Sequence, residues 1–229
     1  MYIHYEQPLR LSSADFTPGG EVKCSALLHA FQDIAGKHAE SVGLGYDDLM
    51  ARNLIWVITK SRLRVMEKLL PDTQYTLLTY PRRTGSLIYD RDFWVLSPSG
   101  EKLVVGTSQW CVVNYVTRHV EQTGLDFPGV YNPEPAMPEG IGRLRPRDLV
   151  PVGAHTVVQG DLDGNNHTNN CRYADMAMEV LGVEAARELT MTFVSETRLG
   201  DEIRLLRGPD NVAAGQHNGE LVFAARAVY

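Results

Sequence analysis

Apolar residues recur at three- and four-residue steps in two separate places along the chain. The first set is Leu27, Leu28, Phe31, Ile34, Ala35 and Val42, with His38 in the same stripe; the second is Tyr173, Met176, Ala177, Val180 and Leu181. That spacing puts each set on one face of an α-helix. Gly43 and Gly45 end the first helix, and the second is predicted over about Asn170–Leu181. Before the first helix, Leu9 to Phe16 alternates like a strand and turns at Pro18-Gly19-Gly20. After it the texture becomes β-branched and aromatic. Strands are predicted at about Leu54–Val65, Gln74–Arg82, Ser86–Ser97 and Lys102–Thr117, with a hairpin turn at Ser97-Pro98-Ser99-Gly100.

The second helix sits in a shorter version of the same order. A strand at Thr156–Gly160 precedes it, and strands at about Leu189–Arg198, Glu202–Arg207 and Leu221–Val228 follow. Three local echoes point to a duplication. Arg10-Leu11-Ser12-Ser13-Ala14-Asp15 matches Val157-Val158-Gln159-Gly160-Asp161, Pro71-Asp72-Thr73 matches Gly200-Asp201-Glu202, and Ser99-Gly100-Glu101-Lys102-Leu103-Val104 matches Asn218-Gly219-Glu220-Leu221-Val222. Phe127 to Pro146 holds five prolines and three glycines without periodicity and reads as an extended linker. The expected organisation is therefore an N-terminal unit over 1–126, a linker over 127–150 and a C-terminal unit over 151–229. Each unit is an α+β arrangement of one helix covered by an antiparallel sheet.

Composition narrows the classes. With 44% hydrophobic and 22% charged residues the chain is an ordinary globular one. Its net charge of −6 argues against nucleic-acid binding. No stretch approaches the roughly 20 apolar residues of a membrane span. The opening Met1-Tyr2-Ile3-His4-Tyr5-Glu6 lacks the basic and apolar regions of a signal peptide. Cys24, Cys111 and Cys171 are far apart, form no CxxC pair and suit a reducing compartment, so a cytoplasmic location is expected. No metal or cofactor site is implied; the remaining histidines His29, His38, His119, His155 and His217 show no ligand spacing.

The chemistry is concentrated in Asp161-Leu162-Asp163-Gly164-Asn165-Asn166-His167-Thr168-Asn169-Asn170, where two carboxylates, four amides and an imidazole precede the second helix. A turn followed by an N-cap accounts for Asn169 or Asn170. A calcium loop is disfavoured because the bidentate Glu twelve residues from its start is missing. Neither explains the alternation Asp163, Asn165, His167. In an extended segment these would point to one side and bring acid, amide and imidazole together. The helix N-terminus would add donors for a developing oxyanion, a combination suited to hydrolysis of an activated acyl group.

Asp161-Leu162-Asp163 with Asn165, His167, Asn169-Asn170, Tyr173 and Glu179 resembles the signature of the acyl-acyl carrier protein (acyl-ACP) thioesterases of plants and bacteria. Asn53-Leu54-Ile55-Trp56-Val57 with Thr59-Lys60, and Trp110, Asn114 and Thr117-Arg118, are similar to stretches of the same family. The resemblance implies a tandem hot-dog fold with merged sheets, and an acyl pocket between the first helix and its facing strands. It implies catalytic roles for Asp163, Asn165, His167 and Glu196. Many plant members carry a cysteine after that glutamate; this chain has Thr197. The implied reaction is hydrolysis of fatty acyl-ACP to free fatty acid and holo-carrier, ending chain elongation. The implied partner is an acyl carrier protein, with a homodimer allowed. An acyl-coenzyme A hydrolase of the same fold and a non-enzymatic acyl-binding module are the alternatives. An acidic carrier would dock on cations: Lys60, Arg62, Arg64 and Lys68, or Arg143, Arg145 and Arg147.

Overall fold

Both predicted helical faces form, and both are buried. In a computed structural model that describes residues 2–82, 85 and 87–229, α1 (Cys24–Ser41) buries Leu27, Leu28, Phe31, Ile34, Ala35 and His38. Five-residue α2 (Tyr46–Met50) follows, then β2 (Leu54–Val65), β3 (Gln74–Pro81), β4 (Tyr89–Leu96) and β5 (Lys102–Asn114). The strand preceding them is β1 (Tyr5–Arg10). The second half contains β6 (Val150–Thr156), α3 (Asn170–Leu181), β7 (Glu188–Phe193), β8 (Glu202–Gly208), β9 (Val212–His217) and β10 (Glu220–Val228).

All these strands join one antiparallel sheet in the order β1-β3-β4-β5-β2-β7-β10-β9-β8-β6. Read from either outer edge, each half runs through its first, third, fourth, fifth and second strand. The halves are thus two copies of one topology joined where β2 pairs with β7, from Lys60↔Thr192 to Arg64↔Glu188. α1 and α3 touch, with Gln32 Nε2 3.2 Å from Cys171 Sγ. One continuous core runs from Leu27, Phe31, Leu77 and Phe93 through Leu63 to Tyr173, Met191 and Phe223. This is the tandem hot-dog arrangement that the family resemblance implied.

The differences from the sequence reading have local causes. The stretch from Leu9 to Phe16 is not one strand: β1 ends at Arg10, and a 3-10 turn at Ser13–Asp15 follows because the Asp15 carboxylate accepts from the Ser12 N–H at 2.7 Å. The same device displaces the strand expected at Thr156–Gly160. Asp161 accepts from the Val158 N–H at 3.0 Å, and the strand lies earlier, at Val150–Thr156, in a segment that Pro151 and Gly153 disguise. β5 stops at Asn114, short of Thr117, and β4 begins at Tyr89; the Ser86 end of its expected range lies outside the described residues. β9 escapes a propensity reading because its core residues are Ala213, Ala214 and Gly215. They are small because the Phe223 ring lies where a Cβ on Gly215 would sit, at 2.3 Å.

The residues between β5 and β6 form no regular element, yet they are not a solvated strap. Phe127, Met137 and Ile141 are buried, the Val130 carbonyl accepts from the Ile3 N–H, and Asp92 accepts from the Ala136 N–H. Glu139 pairs with Arg62 and Arg64, which also grip Glu188 across the β2–β7 seam. These contacts occupy Arg62 and Arg64, and Lys68 pairs with Glu21, so the first of the two expected docking groups is largely spent on the protein itself.

At Gly106 of β5 the Phe31 ring comes to 2.3 Å of where a Cβ would stand, and Phe31 stacks on Phe93 with centroids 4.5 Å apart. G106A is expected to lower stability by about 1–3 kcal/mol, the usual range for overpacking a filled core. Equilibrium urea unfolding measures it, with an unchanged slope showing that the loss is in packing.

Candidate functional site

The loop before α3 is a closed turn rather than an extended run. Leu162 and Thr168 form a bridge, the Asp163 N–H donates to the His167 carbonyl at 2.8 Å, and Asn166 takes a left-handed φ of 60°. Asp163 organises it: one carboxylate oxygen accepts from the Asn165 N–H at 2.8 Å and from the His167 N–H at 3.2 Å. A turn and not strand alternation brings Asp163, Asn165 and His167 together, and the bonds that join them run from the Asp163 carboxylate to the backbone of the other two. Asp163 holds the backbone of the loop, and the His167 ring is held from elsewhere.

That second holder comes after β7. The Val194 and Ser195 N–H groups both reach the Val222 carbonyl as the chain leaves the sheet, so the strand ends at Phe193 and the next residues swing to the loop. Thr197 is fully buried there; its hydroxyl bonds the Thr168 hydroxyl at 2.7 Å and the Tyr173 hydroxyl at 3.0 Å, and its carbonyl accepts from the Thr168 N–H. This anchor sets Glu196 beside His167, with Oε2 2.6 Å from Nδ1. The residue after Glu196 thus serves as a structural hydroxyl.

Two arginines frame the pair. Arg118 of the first half, in a left-handed turn after β5, forms an ion pair with Glu196, and Arg198 Nη2 lies 3.3 Å from His167 Nε2. Burial holds the His167 imidazole below its ordinary pKa; Arg198 and Arg118 act in the same direction, and Asp163 opposes them. Because Arg118 balances the Glu196 charge, that carboxylate orients the ring without drawing a second proton onto it. The neutral tautomer that fits donates from Nδ1 to Glu196, and its Nε2 lone pair accepts from Arg198.

The helix end contributes less than expected. Asn169 caps α3, its side chain taking the Cys171 N–H at 2.9 Å and its carbonyl the Arg172 N–H at 2.8 Å, so two first-turn donors are spent. Cys171 is buried and its thiol is pushed up to about 12 by desolvation, which leaves no thiolate near neutral pH.

A cavity of about 260 Å³ opens in the first half between α1 and strands β2 to β5, with Ala35, Ala39, Trp56, Tyr89 and Phe127 on its walls. It lies where the resemblance placed an acyl pocket. Its connection to the loop is Tyr46, a wall residue on α2 whose hydroxyl donates to Asn165 Oδ1 at 3.3 Å. Tyr46 and the roles of Arg118 and Arg198 escaped the sequence reading. α2 is too short for periodicity, although Gly45 followed by Asp47 and Asp48 is a helix-start signal, realised as the Gly45 N–H donating to Asp48 at 3.0 Å.

The first half contains a counterpart of this loop without its chemistry. Thr17 N–H donates to the Glu21 carbonyl, Gly20 has a φ of 78°, and the Thr17 hydroxyl accepts from the Glu21 N–H at 3.3 Å. Asp163, Asn165 and His167 thus occupy the places of Thr17, Gly19 and Glu21. The partner of Glu21 there is Lys68, in an exposed pair at 3.4 Å, where the second half has Glu196 against His167.

Comparison with known proteins agrees with this fold. The family model for the acyl-ACP thioesterase N-terminal domain matches residues 4–128, and that for the C-terminal domain matches residues 153–223. A chloroplastic palmitoyl-acyl carrier protein thioesterase of Gossypium hirsutum is 27% identical over 194 residues, covering 76% of this chain and 46% of its own. A chloroplastic acyl-[acyl-carrier-protein] hydrolase of Cuphea viscosissima is 24% identical over 218 residues, covering 86% and 52%. The chain thus spans about half the length of the curated relatives it matches. Among solved structures, an acyl-ACP thioesterase from Bacteroides thetaiotaomicron superposes with a TM-score of 0.87 at 22% identity, covering 98% of this chain and 97% of that one. The 12:0-ACP thioesterase from Umbellularia californica superposes with a TM-score of 0.83 at 21% identity, covering 98% and 96%. On the strength of the two domain matches, the chain belongs to the acyl-ACP thioesterase family.

Proposed function

We propose that this protein hydrolyses fatty acyl thioesters presented by acyl carrier protein, releasing the free acid and the holo-carrier. The observation that carries the reading is the 2.6 Å His167–Glu196 pair on the loop whose Asn165 bonds Tyr46, a wall residue of the cavity. In this reading Glu196 fixes the imidazole, Arg198 yields its bond to Nε2 as substrate enters, and Nε2 of His167 then takes a proton from a water as its oxygen attacks the thioester carbonyl. The Asn165 amide N–H₂, whose own oxygen is engaged by Tyr46, donates to the oxyanion. Collapse of the tetrahedral intermediate breaks the carbon–sulfur bond, and the imidazolium returns its proton to the leaving thiolate. Asp163 acts through the loop backbone, and neither Asp163 nor Cys171 is the nucleophile. An acidic carrier would dock on Arg143, Arg145 and Arg147, which are exposed and, among the described residues, have no ion-pair partner.

H167A is expected to lower kcat by roughly 10²–10⁴, the scale of a lost general base. E196Q should cost less, and D163N, which keeps an acceptor for the loop N–H groups, least. Melting temperatures should stay near wild type, since His167 and Glu196 are 22% and 36% exposed. A D163N variant as inactive as H167A would shift the chemistry to an acyl-Asp163 intermediate. Matched acyl-carrier and acyl-coenzyme A substrates in the same assay decide between carriers.

The pH profile follows from His167. Its folded pKa lies below the ordinary 6.5, and only the neutral ring accepts a proton, so activity is present above that lowered value and lost as pH falls through it. The acid limb of kcat/KM should therefore lie below pH 6.5, and R198M, which removes a cation from the ring, should move it upward.

Reversing charge at Arg143, Arg145 and Arg147 together should raise KM for carrier-linked thioesters while leaving acyl-pantetheine turnover unaffected. The effect should shrink as ionic strength rises.

A further inference from the structure

The inward rows of three elements in the first half are broken by polar residues at one level. Along β4 the helix-facing row runs Tyr89, Arg91, Phe93, Val95; along β3 it runs Tyr75, Leu77, Thr79, Pro81; along α1 it runs Phe31, Ile34, Ala35, His38. The three interruptions meet. Arg91 Nη1 lies 3.0 Å from His38 Nδ1 and donates to Thr79 Oγ1 at 3.2 Å, and the guanidinium sits 4.9 Å above the Phe127 ring. Arg91 is 5% exposed and is a wall residue of the cavity. Both of these side-chain hydrogen bonds leave from Nη1 and go to neutral groups, and among the described residues no carboxylate forms a salt bridge with Arg91. Desolvation lowers it to about 9, so it remains a cation at neutral pH, and the same burial with Arg91 alongside pushes His38 down to about 4, which keeps that ring neutral.

A pocket meant only for an alkyl chain gains nothing from a desolvated cation, since a buried charge without a counter-ion is unfavourable. Its donors fit an oxygen acceptor on whatever fills the cavity. Glu40 and Asp90 also reach the cavity wall, which disfavours a second carboxylate on the chain and leaves a neutral oxygen as the better match.

We propose that Arg91, set by His38 and Thr79, is a specificity determinant that selects acyl chains bearing a hydroxyl or oxo group. This rests on the reading of the cavity as an acyl pocket and names the class of chain that it takes. The guanidinium donates to the chain oxygen, and the Trp56, Tyr89 and Phe127 walls hold the methylenes.

The test uses non-hydrolysable acyl-pantetheine amides of one chain length, unsubstituted or carrying a hydroxyl or oxo group at successive carbons, with binding measured calorimetrically. Alongside, kcat/KM is measured for the corresponding carrier thioesters. At one position the oxygenated amide should bind wild type about tenfold or more tighter than the unsubstituted one, as expected for a bond to a charged donor. R91M should bring that ratio near one, and R91K should keep part of it. Equal or better binding of the unsubstituted amide at every position overturns the proposal, and so does an R91M variant that keeps the wild-type ratio. Should R91M not fold, the wild-type and R91K series decide. A protein that hydrolyses no carrier thioester but retains the Arg91-dependent ratio would sink the hydrolase reading and leave the subsite standing.

Discussion

The pairing of β2 with β7 is the constraint on which the rest of the molecule depends. Each half alone is a sheet with an unpaired inner edge and one long helix. Joining them closes both edges and brings α1 against α3 over a common core. The seam is reinforced on the outer face, where Arg62 and Arg64 hold Glu188 at 2.6 Å each and collect Glu139 from the connecting segment. Because the halves are registered to one another, residues from one can serve the other. Tyr46 reaches Asn165 and Arg118 reaches Glu196 across the boundary, and neither contact would exist in a half standing alone.

Duplication also explains how the reactive loop is stable. A segment rich in Asp, Asn and His gains little from burial, yet its backbone copies a turn that the first half builds from Thr17, Gly19 and Glu21. The turn is closed by main-chain bonds and by one acceptor at its first position, a hydroxyl in one half and a carboxylate in the other. Chemistry was placed on a frame that does not need it. That is why Asp163 reads as a loop-forming residue despite its prominence in the motif.

Helices and most strands were legible because their signals are periodic and their burial follows the period: Leu54–Val65 and Asn170–Leu181 emerge with the bounds read from the residues. The echoes between halves were legible as well. Asp15 and Asp161 close equivalent turns, and Gly100 and Gly219 take φ of 88° and 84° in equivalent hairpins. What the residues could not show was tertiary override. Alternation suggested that Asp163, Asn165 and His167 point together from a strand, whereas a left-handed Asn166 folds them into a turn. Glu196 was reachable only through family resemblance, since nothing local distinguishes Ser195-Glu196-Thr197 until Thr197 is seen buried against Thr168 and Tyr173. Arg118 belongs to the same class: its meaning lies wholly in what it faces.

The division of labour between halves follows from their electrostatics. The first half keeps the cavity, with Trp56, Tyr89 and Phe127 among its walls. The second half keeps the imidazole and carboxylate in a partly exposed position where water can reach them. A base of this kind works only while neutral, and a carboxylate alone beside His167 would raise its pKa and fill it with a second proton. Burial holds the ring below its ordinary pKa, and Arg198 and, from across the boundary, Arg118 act in the same direction. The first half's equivalent positions, Glu21 and Lys68, form an exposed ion pair with no imidazole in it. A single imidazole–carboxylate pair in a twofold scaffold is thus a consequence of which residues fill two equivalent turns, while the scaffold itself remains nearly symmetric.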